Sequence, residues 1–301
     1  MRNNSKICID FINPRPYDVA SFNERVEQCC SWLEHDIGLN LRGRVPEYIK
    51  KASKFERLRG YLNDEMYYTL QSYHELNQII MLHESLNAQK SKQFITTLKK
   101  SVKGISFRDQ PNRSHEDQAR NHMFELTTAS DYANSDQDLD LTRRADIIID
   151  ESKLLIECKR VKTLSAVNDR LIEAAEQIES DETGYNGLIY IDITEIFEEL
   201  HTIYCLNETG PLPHLKGISN DEETKLFIEE KLNENINPYV NNKIISNFPT
   251  LSDKILGIVL IYNFVGFHIS MFHERVITGR MKRFVKLSKN IPTPEIVSSF
   301  F

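Results

Sequence analysis

The 301-residue chain has no Cys-x-x-Cys pair and no His-Glu-x-x-His or comparable histidine spacing. Its five cysteines (Cys8, Cys29, Cys30, Cys158 and Cys205) are odd in number and unpaired in spacing. That argues against a disulfide framework and a zinc ribbon, and it fits a reducing cytoplasm. The histidines give no support for a zinc site. No apolar run reaches the roughly 18 residues that a membrane span needs. The nearest, 258–272, is interrupted by Asn263, Gly266 and His268, so no membrane partner is expected. The opening Met-Arg-Asn-Asn-Ser-Lys leads into no signal-peptide apolar region. Internal repeats and low-complexity segments are also missing.

What is present suits a folded protein. Hydrophobic residues make up 40% and charged residues 27%, enough apolar content for a core holding one large domain or two modest ones. Net charge is -7, which by itself does not advertise a nucleic-acid binder. Yet 275–290 carries six basic residues (Arg275, Arg280, Lys282, Arg283, Lys286, Lys289) and no acidic one. Such an edge can hold a phosphate backbone, or it can be a solvated tail.

Hydrophobic spacing predicts helix through the first hundred or so residues. Phe22, Val26, Cys29, Cys30 and Leu33 recur at helical intervals, and 64–102 lacks Gly and Pro. Leu70, Tyr73, Leu76, Ile79, Ile80 and Leu86 form its apolar stripe, in one long helix or two with a break near Asn87. A connector from Gly104 to Pro111 follows. From Ser114 a helix is expected to about Thr128, burying Ala119, Met123 and Leu126. Residues 131–140 read as a polar loop. Two short β-rich runs, 145–150 and 153–161, flank a tight turn. Then come a helix over 165–179, with Leu171, Ala175 and Ile178 inward, and an apolar strand over 187–193 of the kind buried on both faces. Beyond it, 222–235 reads as helix, and 255–263 with 267–276 as a hairpin turning near Val265 and Gly266.

The chemistry concentrates in 143–160. A hairpin turning at Glu151 and Ser152 pairs positions that sum to 303, which sets Asp146 opposite Glu157. Cross-strand neighbours have Cβ atoms about 4.5–5.5 Å apart, so the two carboxylates repel unless a cation or a proton intervenes. Lys159, two residues past Glu157, projects to the same strand face. Hard carboxylate oxygens suit Mg2+ or Mn2+, which would acidify water and offset charge on a phosphodiester. Lys159 can orient or deprotonate the attacking water, or neutralise charge on phosphate. For an arbitrary match, a surface strand of paired charges is the ordinary alternative. Here the acids are embedded among Ile147, Ile148, Ile149, Leu154, Leu155 and Ile156, which favours a core hairpin.

This segment resembles the PD-(D/E)XK nuclease superfamily: Asp146 stands at the first acid, with Ala145 where proline is frequent, and Glu157-Cys158-Lys159 matches E-x-K. The resemblance covers roughly 80 residues. It implies an α/β fold with a restriction-endonuclease-like αβββαβ core around a mixed sheet over 111–301, one strand lying in 137–142. A helical region, 1–110, precedes it. By the same resemblance Glu125 supplies an acid from the first helix, an ordinary exposed glutamate being the alternative. Gln177 occupies the catalytic or phosphate-facing place on the second helix, with Arg170 two turns earlier. Asp181 stands where a RecB-like subgroup has tyrosine. Cys158 reads as a small buried residue whose carbonyl can reach the metal. Arg143, Arg144, Arg160 and Lys162 flank the hairpin and can touch DNA backbone, or serve solubility.

The implied activity is Mg2+- or Mn2+-dependent hydrolysis of DNA, as in bacterial defence or repair nucleases. A catalytically inactive nucleic-acid-binding or interaction module on a nuclease-like scaffold, and a nuclease acting on RNA, are the alternatives. The helical region would recognise substrate, a regulator, a partner protein or a second copy of the chain.

Overall fold

The computed structural model describes residues 6–10, 19–58, 64–104, 106–107, 118–133, 139–141, 145–196, 202–207, 253–269 and 274–287. A mixed sheet organises them. Its path runs β1 (Lys6–Asp10), β8 (Glu274–Lys286), β7 (Ile255–Ile269), β5 (Asn186–Asp192), β4 (Leu154–Arg160), β3 (Ile147–Ile149) and β2 (Leu139–Asp140), and β6 (Thr202–Asn207) pairs with the far half of β7. Strands β4, β5 and β7 are mutually parallel, while the β1–β8, β7–β8, β3–β4 and β2–β3 pairs are antiparallel. The class is α/β.

The helices before the sheet are α1 (Val19–Ser31), continued by one π-helical turn at Trp32–Asp36, α2 (Arg44–Ala52), α3 (Phe55–Leu58), α4 (Asp64–Leu86), α5 (Lys92–Ser101) and α6 (Gln118–Ala133). Helix α7 (Ala166–Glu179) crosses between β4 and β5, the connection that parallel neighbours require. Strand alternation sorts side chains onto two cores. Ile147, Ile149, Ile156, Leu188 and Tyr190 pack with α4, α6 and the other N-terminal helices. Ile148, Leu155, Ile189 and Ile191 pack under Leu171, Ala175 and Ile178 of α7. Gly187 lets α7 approach this closely, since a Cβ there would lie 2.4 Å from Ile178 Cγ2.

Most expected elements are present. The break near Asn87 separates α4 from α5, and all six residues of the α4 stripe are buried. The expected strand within 137–142 is β2. Four readings are corrected. The first hundred residues are not all helical, because Lys6–Asp10 is a strand on β8. Helix α6 continues through Asp131 to Ala133, where a loop was expected; buried partners for Asp131 outweigh its polar local sequence. Strand β7 continues through Val265 and Gly266 to Ile269, because pairing with β8 holds the glycine in register. The basic edge is neither a phosphate platform nor a solvated tail at its centre. Arg280, Lys282 and Arg283 are buried in β8, and Arg280 and Lys282 lie 3.0 and 3.1 Å from the Asp131 carboxylate. The expected helix start at Ser114 and the helix over 222–235 lie outside the described residues. Among those described, no helix is long and apolar enough to cross a membrane.

Candidate active site

The β3–β4 hairpin has the predicted register: Ile147, Ile148 and Ile149 pair with Ile156, Leu155 and Leu154. Each pair sums to 303, so the next position sets Asp146 against Glu157. The connection is a four-residue turn, Asp150 to Lys153, closed by the Lys153 amide on the Asp150 carbonyl at 3.2 Å. Lys153 takes a left-handed φ of 51° there. At the open end of the hairpin the Cys158 amide donates to Asp146 Oδ2 at 2.8 Å.

Glu157 is 1% exposed. The Lys159 ammonium lies 3.5 Å from Glu157 Oε2 and 3.3 Å from Glu173 Oε1, and it donates to Gln177 Oε1. Glu173 turns its second oxygen to Arg170 Nη1 at 2.6 Å. Arg170, Glu173 and Gln177 follow at i, i+3 and i+7, so α7 presents them on one face. From the other side, α6 brings Glu125, held 3.1 Å from His122 Nδ1.

Between α6 and α7, at the C-terminal end of β4, these elements border a cleft of about 380 Å3. Asp146, Cys158 and Lys159 line it, with Glu125 on one wall and Arg170 and Glu173 on the other. Glu157 is not among the lining residues and sits beneath the floor.

Burial dominates the electrostatics. Desolvation, then the charge of Glu125, raises the Asp146 carboxyl to about 6. Desolvation and the Asp146 charge raise Glu157 to about 8. Two neighbouring acids, both pushed upward by burial, Asp146 further by the charge of Glu125 and Glu157 by that of Asp146, form a place that gains from a cation. Glu173 differs: burial pushes it up, but Arg170 and Lys159 outweigh this and the net shift is downward. The Cys158 thiol is driven well above its ordinary value by burial, so it stays neutral and unreactive.

Among the described residues no three His, Cys, Asp or Glu side chains converge as a ready metal cage. The donor set is a close carboxylate pair with Glu125 nearby. This suits a hard, hydrated cation that takes one or two protein carboxylates and keeps several waters.

The structure thus brings together Asp146, Glu157, Cys158, Lys159, Gln177, Glu125 and Arg170. Lys162 is exposed on the cleft rim. Arg160 is directed inward: it bonds Asn121 Oδ1 at 3.2 Å, pairs with Glu195, and lies 3.4 Å from Asp192. Arg143 and Arg144 lie outside the described residues. Glu173 was not singled out in the sequence, although its place between Arg170 and Gln177 on one helical face was a usable signal. Asn121, one turn before Glu125, was missed as well. Comparison with protein-family models, curated proteins and solved structures gave no match.

Proposed function

We propose that this chain is a metal-dependent nuclease that hydrolyses DNA phosphodiester bonds, built on a restriction-endonuclease-like core. The order α6, β2, β3, β4, α7, β5 supports the fold part of this reading. One observation carries the chemical part: two neighbouring carboxylates on one hairpin, Asp146 lining the cleft and Glu157 buried behind it, both raised by burial and a nearby carboxylate charge, have an ammonium beside them and basic residues on the cleft rim.

Asp146 and Glu157 would hold Mg2+ or Mn2+, with Glu125 and the Cys158 carbonyl as further oxygen donors. The cation, when bound, supplies an acidified water and charge compensation at the phosphate. Lys159 orients the attacking water or meets negative charge developing on the phosphate oxygens. Gln177 and Glu173 keep its ammonium at the cleft floor. Arg170 and Lys162 attract the flanking phosphates.

The test is cleavage of plasmid and oligonucleotide DNA with Mg2+ or Mn2+. Wild type cuts, whereas Asp146→Ala and Lys159→Ala remain folded and do not. Equal cleavage by either variant overturns the assignment. The burial of Glu157 below the cleft floor favours a second reading, a nuclease-like scaffold that binds nucleic acid without cutting it. Metal-insensitive binding with no cleavage across a broad substrate panel would select that reading. A phosphate-directed site does not itself read the 2′-hydroxyl, so matched RNA and DNA substrates belong in the same assay.

A further inference from the structure

Two successive residues of β4 are tied to the two walls of the cleft. Lys159 projects toward α7 and is held there by Glu173 and Gln177. Arg160 alternates to the opposite sheet face, where it reaches α6 and donates from Nη1 to Asn121 Oδ1 at 3.2 Å. The rest of its guanidinium is engaged by acids at the end of β5: Nε lies 3.4 Å from Asp192 Oδ2, and Nη2 donates to Glu195. Its side chain is only 7% exposed. Asp192 is fixed in turn. Its Oδ1 accepts from the Thr194 amide at 2.9 Å, and Thr194 Oγ1 accepts from the Asn263 amide at 2.9 Å. Thr194 and Asn263 are both buried. Arg160 is therefore held away from substrate, and what it holds is Asn121.

A guanidinium donates and cannot accept, so the carbonyl oxygen of Asn121 must be the end that meets Arg160. Flipping the amide would set N–H against N–H. What Asn121 leaves for the cleft it lines is its amide nitrogen, and among the described residues no acceptor is set against that group. Asn121 is half-buried. It stands one turn before Glu125 on the same face of α6, and both residues belong to the cleft wall. An N–H pair cannot ligate a cation; it needs an acceptor. The carboxylates of the cleft are engaged elsewhere: Glu125 with His122, Asp146 with the Cys158 amide, and Glu173 with Arg170 and Lys159. A neutral donor among acids suits a phosphate oxygen, because it offers the hydrogen bond without a charge for those acids to capture.

We propose that Asn121 is a substrate-binding residue whose amide donates to a non-bridging phosphate oxygen of the strand lying in the cleft, with Arg160 as the positioning residue that holds it so. The inference rests on the nuclease reading and deepens it, adding a neutral phosphate contact on the α6 wall across from Arg170 on the α7 wall. Because the contact is to the backbone, it carries no base preference. Recognition of adenine by an asparagine uses both its oxygen and its nitrogen, and here Arg160 occupies the oxygen.

Binding of a fluorescein-labelled DNA duplex to the full chain is measured by anisotropy, in CaCl2 and in EDTA, beside RNA of matched sequence. Asn121→Asp keeps the oxygen that Arg160 needs and removes the donors, whereas Asn121→Ala removes both. Each should weaken binding about ten- to hundredfold, the loss of a hydrogen bond to a charged group, on whichever backbone wild type binds and equally for unrelated sequences. Arg160→Lys keeps a charge for Asp192 and Glu195 but loses the reach to Asn121, and it should share the defect. Thermal melts establish which variants are folded, and two substitutions at 121 keep the test standing if one is not. Duplexes with single phosphates replaced by methylphosphonate separate contact from structure. At one position the replacement should cost Asn121→Ala several-fold less than it costs wild type. Equal costs at every position overturn the proposal, as do unchanged affinity in the folded Asn121 variants, a loss confined to one base sequence, or a wild type that binds no nucleic acid. Binding is read without cleavage, so a chain that binds through Asn121 and does not cut would sink the nuclease reading alone. A chain that cuts with its affinity indifferent to Asn121 would sink this inference alone.

Discussion

The Cys158 amide donates to Asp146 Oδ2 at 2.8 Å, tying the first acid of the site to the strand that carries the second. Asparagine at 146 retains an oxygen acceptor for that amide and removes the charge. Asp146→Asn should therefore leave the hairpin intact, melting at or above wild type at pH 8. Cleavage should fall by about 10²–10⁴, the range for losing a group that acts at the reacting centre. Plasmid nicking and thermal unfolding together check this. A variant that unfolds early would place the effect on structure instead.

The raised carboxyls set the pH dependence of stability without metal. Glu157 titrates near 8 and Asp146 near 6, against ordinary values of 4.5 and 3.8. Between the ordinary and the shifted values the folded state holds more protons than the unfolded one, so stability falls as pH rises. The metal-free protein should lose on the order of a few kcal/mol from this pair between pH 5 and pH 8. Melts in EDTA should show it, and Mn2+ should restore more stability at pH 8 than at pH 5. A metal-free Tm that climbs across this interval would contradict the burial argument.

Lys159 depends on α7 for its position. Glu173→Gln removes the charge 3.3 Å from the ammonium, and Gln177→Ala removes the amide that accepts from it. Each should lower kcat for DNA cleavage about tenfold, as a displaced catalytic group does, with KM little changed. A pure KM effect would mean that these residues bind substrate directly.

Asp131 neutralises Arg280 and Lys282 inside the protein. Asp131→Ala leaves two buried cations facing each other, and should cost about 3–5 kcal/mol. Urea unfolding measures this. A loss below about 1 kcal/mol would show that water reaches the pair.

Gly187→Ala forces a methyl against Ile178. Overpacking of this kind costs about 1–3 kcal/mol, and here it moves the helix that bears Glu173 and Gln177. Reduced Tm together with reduced cleavage is expected, and calorimetry with the nicking assay would detect both.

The hairpin was legible because strand periodicity and a turn centre suffice to fix a register. Helices α6 and α7 were legible through their apolar stripes. The site followed, since Asp146, Glu157 and Lys159 lie within fourteen consecutive residues. Long-range relations were not legible. Nothing near Lys6–Asp10 announces a partner in β8, and nothing in 275–290 says that Asp131 waits to neutralise two of its cations. Gly266 reads locally as a breaker, whereas its pairing with Ile277 is a property of the sheet, not of its neighbours. Arg160, which in sequence fits a contact to DNA backbone or a solubilising charge, finds its acids, Asp192 and Glu195, at a different strand end.

Strand β1 lies against β8, with Lys6 opposite Phe284. Synthesis on a ribosome delivers these partners far apart in time. Until β8 emerges, β1 has no hydrogen-bonding edge to join, and β7 is bare along the side that β8 will cover. Sequence-distant pairing of this kind slows folding and exposes strand edges meanwhile. The last stage of assembly should therefore be closure of β8 between β7 and β1, bringing Arg280 and Lys282 to Asp131 as it closes. A nascent chain halted before residue 274 would display an unsatisfied Asp131 and an open sheet edge, features by which a chaperone could distinguish it from the finished protein.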